Sequence, residues 1–354
     1  MMLFIVMAAL LAIVLEKWLI GRDLEVIRGE QWPTARLAEP EAVLPVRIRV
    51  ENHSRRLVPF LRVSVSFPRD LVPQSGVSGV TTDVWGNYGV SFSAWLRPWQ
   101  RLERTVPVTI ARRGRYVLRP MRLTSGDFLG LREQSKDCDQ FAEIVVPPRE
   151  ANLERFQEMF GGFMGQVSVN RFILEDPVLT LGCREYTGRE PMKMIAWKQS
   201  ARSGGLMVKK YDYTLEPTVS VVLNVDTIHP DREALVETCL SMARSVCARL
   251  EKQGVKYDFT SNAVLAGDPM DQGSLGEGLG ERHFNGVLEH LGRATSAHHL
   301  SASQLFEKEA RRHGAAGRIL ITPGGELEDA RGMNRLREAS GGNLLILRAK
   351  EVAP

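Results

Sequence analysis

The sequence predicts an α+β multidomain chain. It would hold an N-terminal transmembrane helix, an antiparallel Ig-like β-sandwich and a C-terminal α/β layer with a largely parallel sheet. Three observations predict it. Met1 to Leu15, MMLFIVMAALLAIVL, holds no charge, proline or glycine. From about residue 23 to residue 148 apolar side chains recur with period two. From Thr218 onward continuous apolar runs alternate with helical stripes. The expected segments are an anchor at 1–21, a sandwich at 22–148, a connector at 149–215 and the α/β layer at 216–354.

The first segment is just long enough to span. Crossing a bilayer core of roughly 30 Å takes about 20 apolar residues. Glu16 and Lys17 interrupt the run before Trp18, Leu19 and Ile20 resume it. Trp18 suits the headgroup zone, and Lys17 can snorkel towards it. A cleaved signal peptide would carry basic residues before the apolar run and small residues at a cleavage site. Nothing basic precedes this run, and EKWLIGRD follows it, so an uncleaved anchor is the better reading. Lys17, Arg22 and Arg28 all lie after it. The positive-inside rule then predicts a single-pass protein of the cell membrane with its soluble part in the cytoplasm.

The alternation is plain between 46 and 110. Val46, Ile48 and Val50 alternate with Arg47, Arg49 and Glu51, and Leu61, Val63, Val65 and Phe67 with Arg62, Ser64 and Ser66. Asn52-His53-Ser54, Pro68-Arg69-Asp70 and Trp85-Gly86-Asn87 supply turn chemistry between such runs. Short strands of this kind give sheets with one buried face.

Past Thr218 the period changes. Val219 to Val225 reads as a strand covered on both faces. Asp231 to Gln253 reads as a helix, with Leu235, Cys239, Met242, Ala243, Val246 and Leu250 on one stripe and Gly254 as its C-terminal stop. Val255 to Thr260, Gly317 to Thr322 and Leu344 to Leu347 read as further strands, and Phe284 to Leu291, Leu305 to Arg312 and Glu326 to Ala339 as helices. The glycine-rich stretch from Gly267 to Gly286 reads as a loop with a short helix start.

Composition narrows the function classes. Hydrophobic content of 44% and charged content of 25% belong to an ordinary globular chain, not a disordered one. A formal charge of +4 is too small to imply nucleic acid, and no nucleic-acid partner is expected. The four cysteines, Cys138, Cys183, Cys239 and Cys247, form no C-x-x-C pair and read as core thiols of a reducing compartment.

Catalytic motifs are missing. There is no phosphate loop, no nucleotide-binding glycine motif after a strand, no G-x-S-x-G elbow and no H-E-x-x-H. His298-His299 and the pair His283 and His290 have no third ligand in view, and all read as solvated surface.

One segment is chemically dense. Between Arg184 and Lys210 large aromatics mix with Arg184, Arg189, Lys193, Lys198, Arg202, Lys209 and Lys210 against few acids. As structure it is an amphipathic, ion-paired clasp between domains, with Tyr186, Ile195 and Trp197 packed. As function it is a surface for an anion or a protein partner, since guanidinium groups suit carboxylates and phosphates.

The run REYTGREPMKMIAWKQSARSGGLMVKKY resembles the signature of the bacterial domain of unknown function 58 family. Arg184, Glu185, Tyr186, Gly188, Ile195, Trp197, Ser200, Ala201 and Arg202 match it. Arg113-Gly114-Arg115-Tyr116 and Asp127-Phe128-Leu129-Gly130-Leu131 look like the same family's strand-end motifs, so the likeness spans nearly the whole chain. Arg189 departs from it, standing where the family usually has aspartate. The resemblance implies a membrane anchor, a β-sandwich and a von Willebrand A-like, Rossmann-type C-terminal domain. It also implies a MoxR-type AAA+ ATPase as partner, and it implies no activity.

A metal-binding von Willebrand A domain carries Asp-x-Ser-x-Ser after its first strand and an aspartate after its fourth. Here the first position reads Asn224-Val225-Asp226-Thr227-Ile228, and Pro323-Gly324 follows the Gly317 to Thr322 strand. Too few oxygen ligands remain, so neither metal nor other cofactor is expected. The expected function is a membrane-anchored, non-enzymatic scaffold or adaptor with a degenerate domain of that kind for protein binding. The residues expected to bind are Arg184, Glu185, Tyr186, Trp197 and Arg202, then the loop end at Asn224, Asp226, Thr227 and Pro323. The alternative is a cell-envelope hydrolase, or another enzyme whose site lies outside known motifs.

Overall fold

Alternating apolar and polar residues build the first half of the chain. The computed structural model describes residues 7, 24–126, 133–152, 156–173, 180–188, 190–211, 218–271, 273–312, 314–324 and 330–351. The chain divides into two units, Met1–Arg149 and Glu150–Pro354.

The first unit holds β1 (Ile27–Pro33), β2 (Val43–Asn52), β3 (Val58–Phe67), β4 (Leu71–Pro73), β5 (Val80–Thr82) and β6 (Tyr88–Leu96). It continues with β7 (Arg101–Ile110), β8 (Gly114–Leu118), β9 (Arg122–Gly126), β10 (Glu133–Asp137) and β11 (Ala142–Val146). One sheet has the order β1-β2-β7-β4, a second the order β10-β9-β3-β6-β5, and β11 pairs with β8. In β2, Leu44, Val46, Ile48 and Val50 are buried while Arg47 is exposed. In β3, Leu61, Val63, Val65 and Phe67 are buried. Both rows belong to one apolar core, which makes the two sheets the layers of a β-sandwich. Each fully buried side chain of this size contributes about 1.5–3 kcal/mol.

Polar groups close the turns. The buried Asn52 side chain donates to the carbonyls of Arg56 at 2.8 Å and Arg97 at 2.9 Å, and accepts from the Ser54 N–H at 3.0 Å. The Tyr116 hydroxyl donates to the Arg112 carbonyl at 2.7 Å, and burial pushes its pKa up to about 12.

The second unit runs α1 (Gln157–Ile173), β12 (Thr180–Glu185), α2 (Trp197–Ser203), β13 (Met207–Tyr211), β14 (Val219–Leu223), α3 (Arg232–Gln253) and β15 (Tyr257–Ser261). Then come β16 (Ala263–Leu265), β17 (Ser274–Gly278), α4 (Glu281–Arg293), β18 (Ala294–His298), α5 (Ala302–Ala310), β19 (Gly317–Thr322), α6 (Ala330–Ala339) and β20 (Leu344–Arg348). A five-stranded sheet has the order β17-β15-β14-β19-β20. β14 is parallel to β15 and β19, β19 is parallel to β20, and β17 runs antiparallel to β15. Every residue of β14, β15 and β19 is buried. Val221, Leu223, Ile319 and Ile321 face the core that holds α3, while Val222 and Leu320 face the one that holds α5 and α6. The stripe of α3 is buried in full, and the helix stops at Gly254, whose φ of +65° suits glycine. Burial pushes the Cys239 and Cys247 thiols far up, so both stay protonated.

Three expectations need correction. Among the described residues no helix is long and apolar enough to cross a membrane, so the single-pass membrane assignment is withdrawn. The apolar run that suggested it, at 1–21, lies outside the described residues except for Met7. The von Willebrand A-like, Rossmann-type assignment is withdrawn too. The stretch read as a loop supplies β17, whose antiparallel course makes the sheet mixed, and β16 and β18 form a separate antiparallel pair. Strands dominate the described residues, β1 to β20 against six α-helices, and the β-sandwich is the clearest part of the architecture. Asp127 to Leu131 and Arg189, quoted for the family resemblance, also lie outside the described residues.

Candidate functional site

The segment from Arg184 to Tyr211 is a small antiparallel hairpin with a helix laid over it. β12 pairs with β13, setting Arg184 opposite Val208 and Glu185 opposite Met207. A single turn at Met192–Met194 leads into α2. Ser200 fastens that helix. Its hydroxyl donates to the Ala196 carbonyl at 3.0 Å and accepts from the Met207 N–H at 2.8 Å. The Ala196 N–H donates to the Met207 carbonyl at 2.8 Å. Ile195, Ala196 and Val208 are buried and root the segment. Gly204, at φ +70°, ends the helix.

The expected binding residues divide over this frame. Arg184 pairs with Glu190 at 2.6 Å. The Thr187 hydroxyl donates to the same carboxylate at 2.7 Å. Thr187 first, then Arg184, hold the Glu190 carboxyl down at about 2 against the cost of desolvation. Glu185 is exposed, and Tyr186 is half-buried, with its N–H on the Leu206 carbonyl at 2.9 Å. Trp197 does not pack as expected: it is 61% exposed. Lys193, Lys198 and Arg202 are exposed with it. Lys198 and Arg202 share one helix face by their spacing of four.

The second expected group sits at the carboxyl ends of β14, β15 and β19, where open sheets take ligands. Here the polar groups bind one another. The buried Asn224 carboxamide accepts from Asn262 at 2.8 Å and from the Asp226 N–H at 3.0 Å, and donates to the Thr322 hydroxyl at 3.2 Å. Asn262 also accepts from the Val225 N–H at 2.8 Å and donates to the Leu300 carbonyl at 2.9 Å. The Asp226 carboxylate accepts from the Ala302 N–H at 3.0 Å, at the start of α5, and lies 3.6 Å from His298 Nδ1. A carboxylate is favourable at a helix N-terminus. The Thr227 hydroxyl accepts from the His229 N–H at 3.2 Å. Among the described residues no group of three or more His, Cys, Asp or Glu converges to hold a metal ion.

Two further clusters escaped the sequence reading. Ser261 Oγ and His290 Nε2 are 2.9 Å apart, the spacing of a nucleophile and its base. Both residues are buried, Ser261 at 1% and His290 at 5% exposure, so no substrate reaches them. Burial holds the His290 ring down at about 4, and the pair ties β15 to α4. This corrects the reading of His290 as solvated surface. It lies three residues after Val287 and next to Leu291, on the buried side of α4. The other cluster joins Arg312 to the buried carboxylates of Asp258 at 3.3 Å and Glu309 at 3.1 Å. Desolvation pushes both carboxyls up against the pull of Arg312. Its residues are 54 and 3 positions apart, a pattern no motif announces.

No family model matches the chain, and no curated protein matches it significantly. Among solved structures it is similar to the CARDB domain of the PF1109 protein from Pyrococcus furiosus, at 14% identity over 35% of this chain and 96% of that one, with a TM-score of 0.23. It is similar to a non-cellulosomal cohesin from the hyperthermophilic archaeon Archaeoglobus fulgidus, at 12% identity over 37% of this chain and 97% of that one, TM-score 0.25. A cohesin module from a Clostridium perfringens family 33 glycoside hydrolase gives 10% identity over 33% of this chain and 96% of that one, TM-score 0.24. Similarity this slight carries no argument about activity or ligand.

Proposed function

We propose that the chain is a non-enzymatic scaffold or adaptor, and that its second unit binds another protein through the hairpin and helix of β12, α2 and β13. The observation that carries this is Trp197, 61% exposed on a helix whose neighbours Ile195 and Ala196 are buried. A large aromatic held in solvent by a fixed backbone, on one short helix with Arg202, has the composition of an interface hot spot. The sealed Ser261–His290 pair and the internally satisfied polar groups around Asn224 support a role without catalysis. The resemblance of the segment to the domain of unknown function 58 family makes a MoxR-type AAA+ ATPase the proposed partner.

The test is capture of a purified MoxR-type ATPase from the same organism in the presence of nucleotide. Wild type should retain it. Trp197→Ala and Arg202→Ala should each weaken retention about tenfold, the equivalent of ~1.4 kcal/mol. No retention by wild type, or equal retention by all three proteins, would overturn the proposal.

A further inference from the structure

The five-stranded sheet of the first unit ends in two unlike edges. At one edge β10 reads Glu-Gln-Ser-Lys-Asp, with Asp137 paired to Arg122 at 2.8 Å. Charges on an edge strand discourage another strand from adding to it. At the other edge β5 reads Val-Thr-Thr, uncharged and exposed at all three positions. Its hydrogen bonds to β6 alternate. The Ser91 N–H donates to the Gly79 carbonyl at 3.0 Å and the Asp83 N–H to the Asn87 carbonyl at 2.9 Å, with Thr81 opposite Gly89. That register turns the N–H and C=O of Val80 and Thr82 outward along the open edge.

The hairpin beyond β5 is rigid and apolar at its tip. The Asp83 carboxylate accepts from the N–H groups of Trp85 at 2.9 Å and Asn87 at 2.8 Å, and from the Asn87 side chain at 2.9 Å. This turn holds Val84 and Trp85 in solvent, 99% and 82% exposed. A backbone already held in place loses little freedom when a partner covers it.

We propose that β5 is a self-association edge, on which a second copy of this chain lays its own β5 antiparallel and joins two five-stranded sheets into one. Pairing centred on Thr81 sets Val80 of each copy against Thr82 of the other. That arrangement is two-fold symmetric and places no like charges opposite one another, so the strand is complementary to itself. The hairpin turn that carries Val84 and Trp85 follows directly on β5, so the apolar tip lies at the end of the same contact.

Cross-linking tests this on the full chain. Thr81 would face its own copy as a non-hydrogen-bonded pair with Cα atoms about 4.5 Å apart, inside the range a disulfide accepts. Cys183 is the exposed native thiol among the four, so the experiment uses a Cys183→Ser background. Mild oxidation of Thr81→Cys should give a covalent dimer, and Ser135→Cys on β10 should not. In sedimentation velocity the wild type should pass from monomer to dimer as its concentration rises through the micromolar range, and Thr82→Lys should stay monomeric. The proposal fails if Thr81→Cys cross-links no better than Ser135→Cys. It fails equally if Thr82→Lys and wild type sediment alike.

Discussion

At the carboxyl ends of β14, β15 and β19, Asn224, Asp226, Asn262 and Thr322 turn inward on other parts of the chain. On β12, α2 and β13, Trp197, Lys198 and Arg202 turn to solvent. Both regions hold residues of the kind that bind ligands. The difference lies in what their polar groups already touch. A buried amide that meets three protein partners has no capacity left for a ligand, and its removal is felt as lost stability. A tryptophan that meets few neighbours costs little to remove and is available to another molecule. Burial and hydrogen bonding, rather than residue type, separate structural chemistry from chemistry open to function.

The largest effect should come from Asn262→Ala. It orphans the Val225 N–H and the Leu300 carbonyl and removes a partner of Asn224. Each buried group left unpaired costs about 1–3 kcal/mol, so the second unit should lose about 3–5 kcal/mol, read from hydrogen-exchange protection of the β14 and β19 amides. A loss under ~1 kcal/mol would mean that water replaces the carboxamide, and the cluster would not be closed.

His290 sharpens the same contrast through pH. Its folded pKa is held near 4, below the ordinary 6.5, by burial. The neutral ring therefore stabilises the fold above pH 6.5, and that contribution is lost as pH falls through about 4. Over this window wild type should lose about 3 kcal/mol of stability through this group, a loss that His290→Phe should largely abolish. Parallel pH curves for the two proteins would place the imidazole in contact with solvent.

Asp226→Asn should have a smaller effect. The amide oxygen still accepts from the Ala302 N–H, but the charge at the start of α5 and beside His298 is gone. About 0.5–1 kcal/mol should be lost, with the fold otherwise intact. Trp197→Ala should change stability least, by under ~0.5 kcal/mol, because so little of the ring is buried.

Much of the sandwich was legible because its signal is local. Val46, Ile48 and Val50 show their burial in a span of five residues, and Asn52-His53-Ser54 announces its turn. The α3 stripe was legible for the same reason, since its period repeats over about four turns of helix, from Leu235 to Leu250. β17 was not: Ser-Leu-Gly-Glu-Gly has neither alternation nor β-branched residues, and it becomes a strand by pairing with β15. Trp197 was misplaced because an aromatic beside Ile195 and Ala196 reads as core, whereas the turn into α2 sends it the other way. Asn224 and Asp226 were legible as polar residues at a strand end. Their partners Asn262, His298 and Ala302 come from other elements, so only the fold reveals that the group is closed.

The division between a closed cluster and an open surface is tested most directly by comparing Asp226→Asn with Trp197→Ala in one assay, capture of a purified MoxR-type ATPase by folded protein. The account predicts that Asp226→Asn retains the partner as wild type does, while Trp197→Ala retains it about tenfold less. Loss of capture by Asp226→Asn with full capture by Trp197→Ala would contradict it.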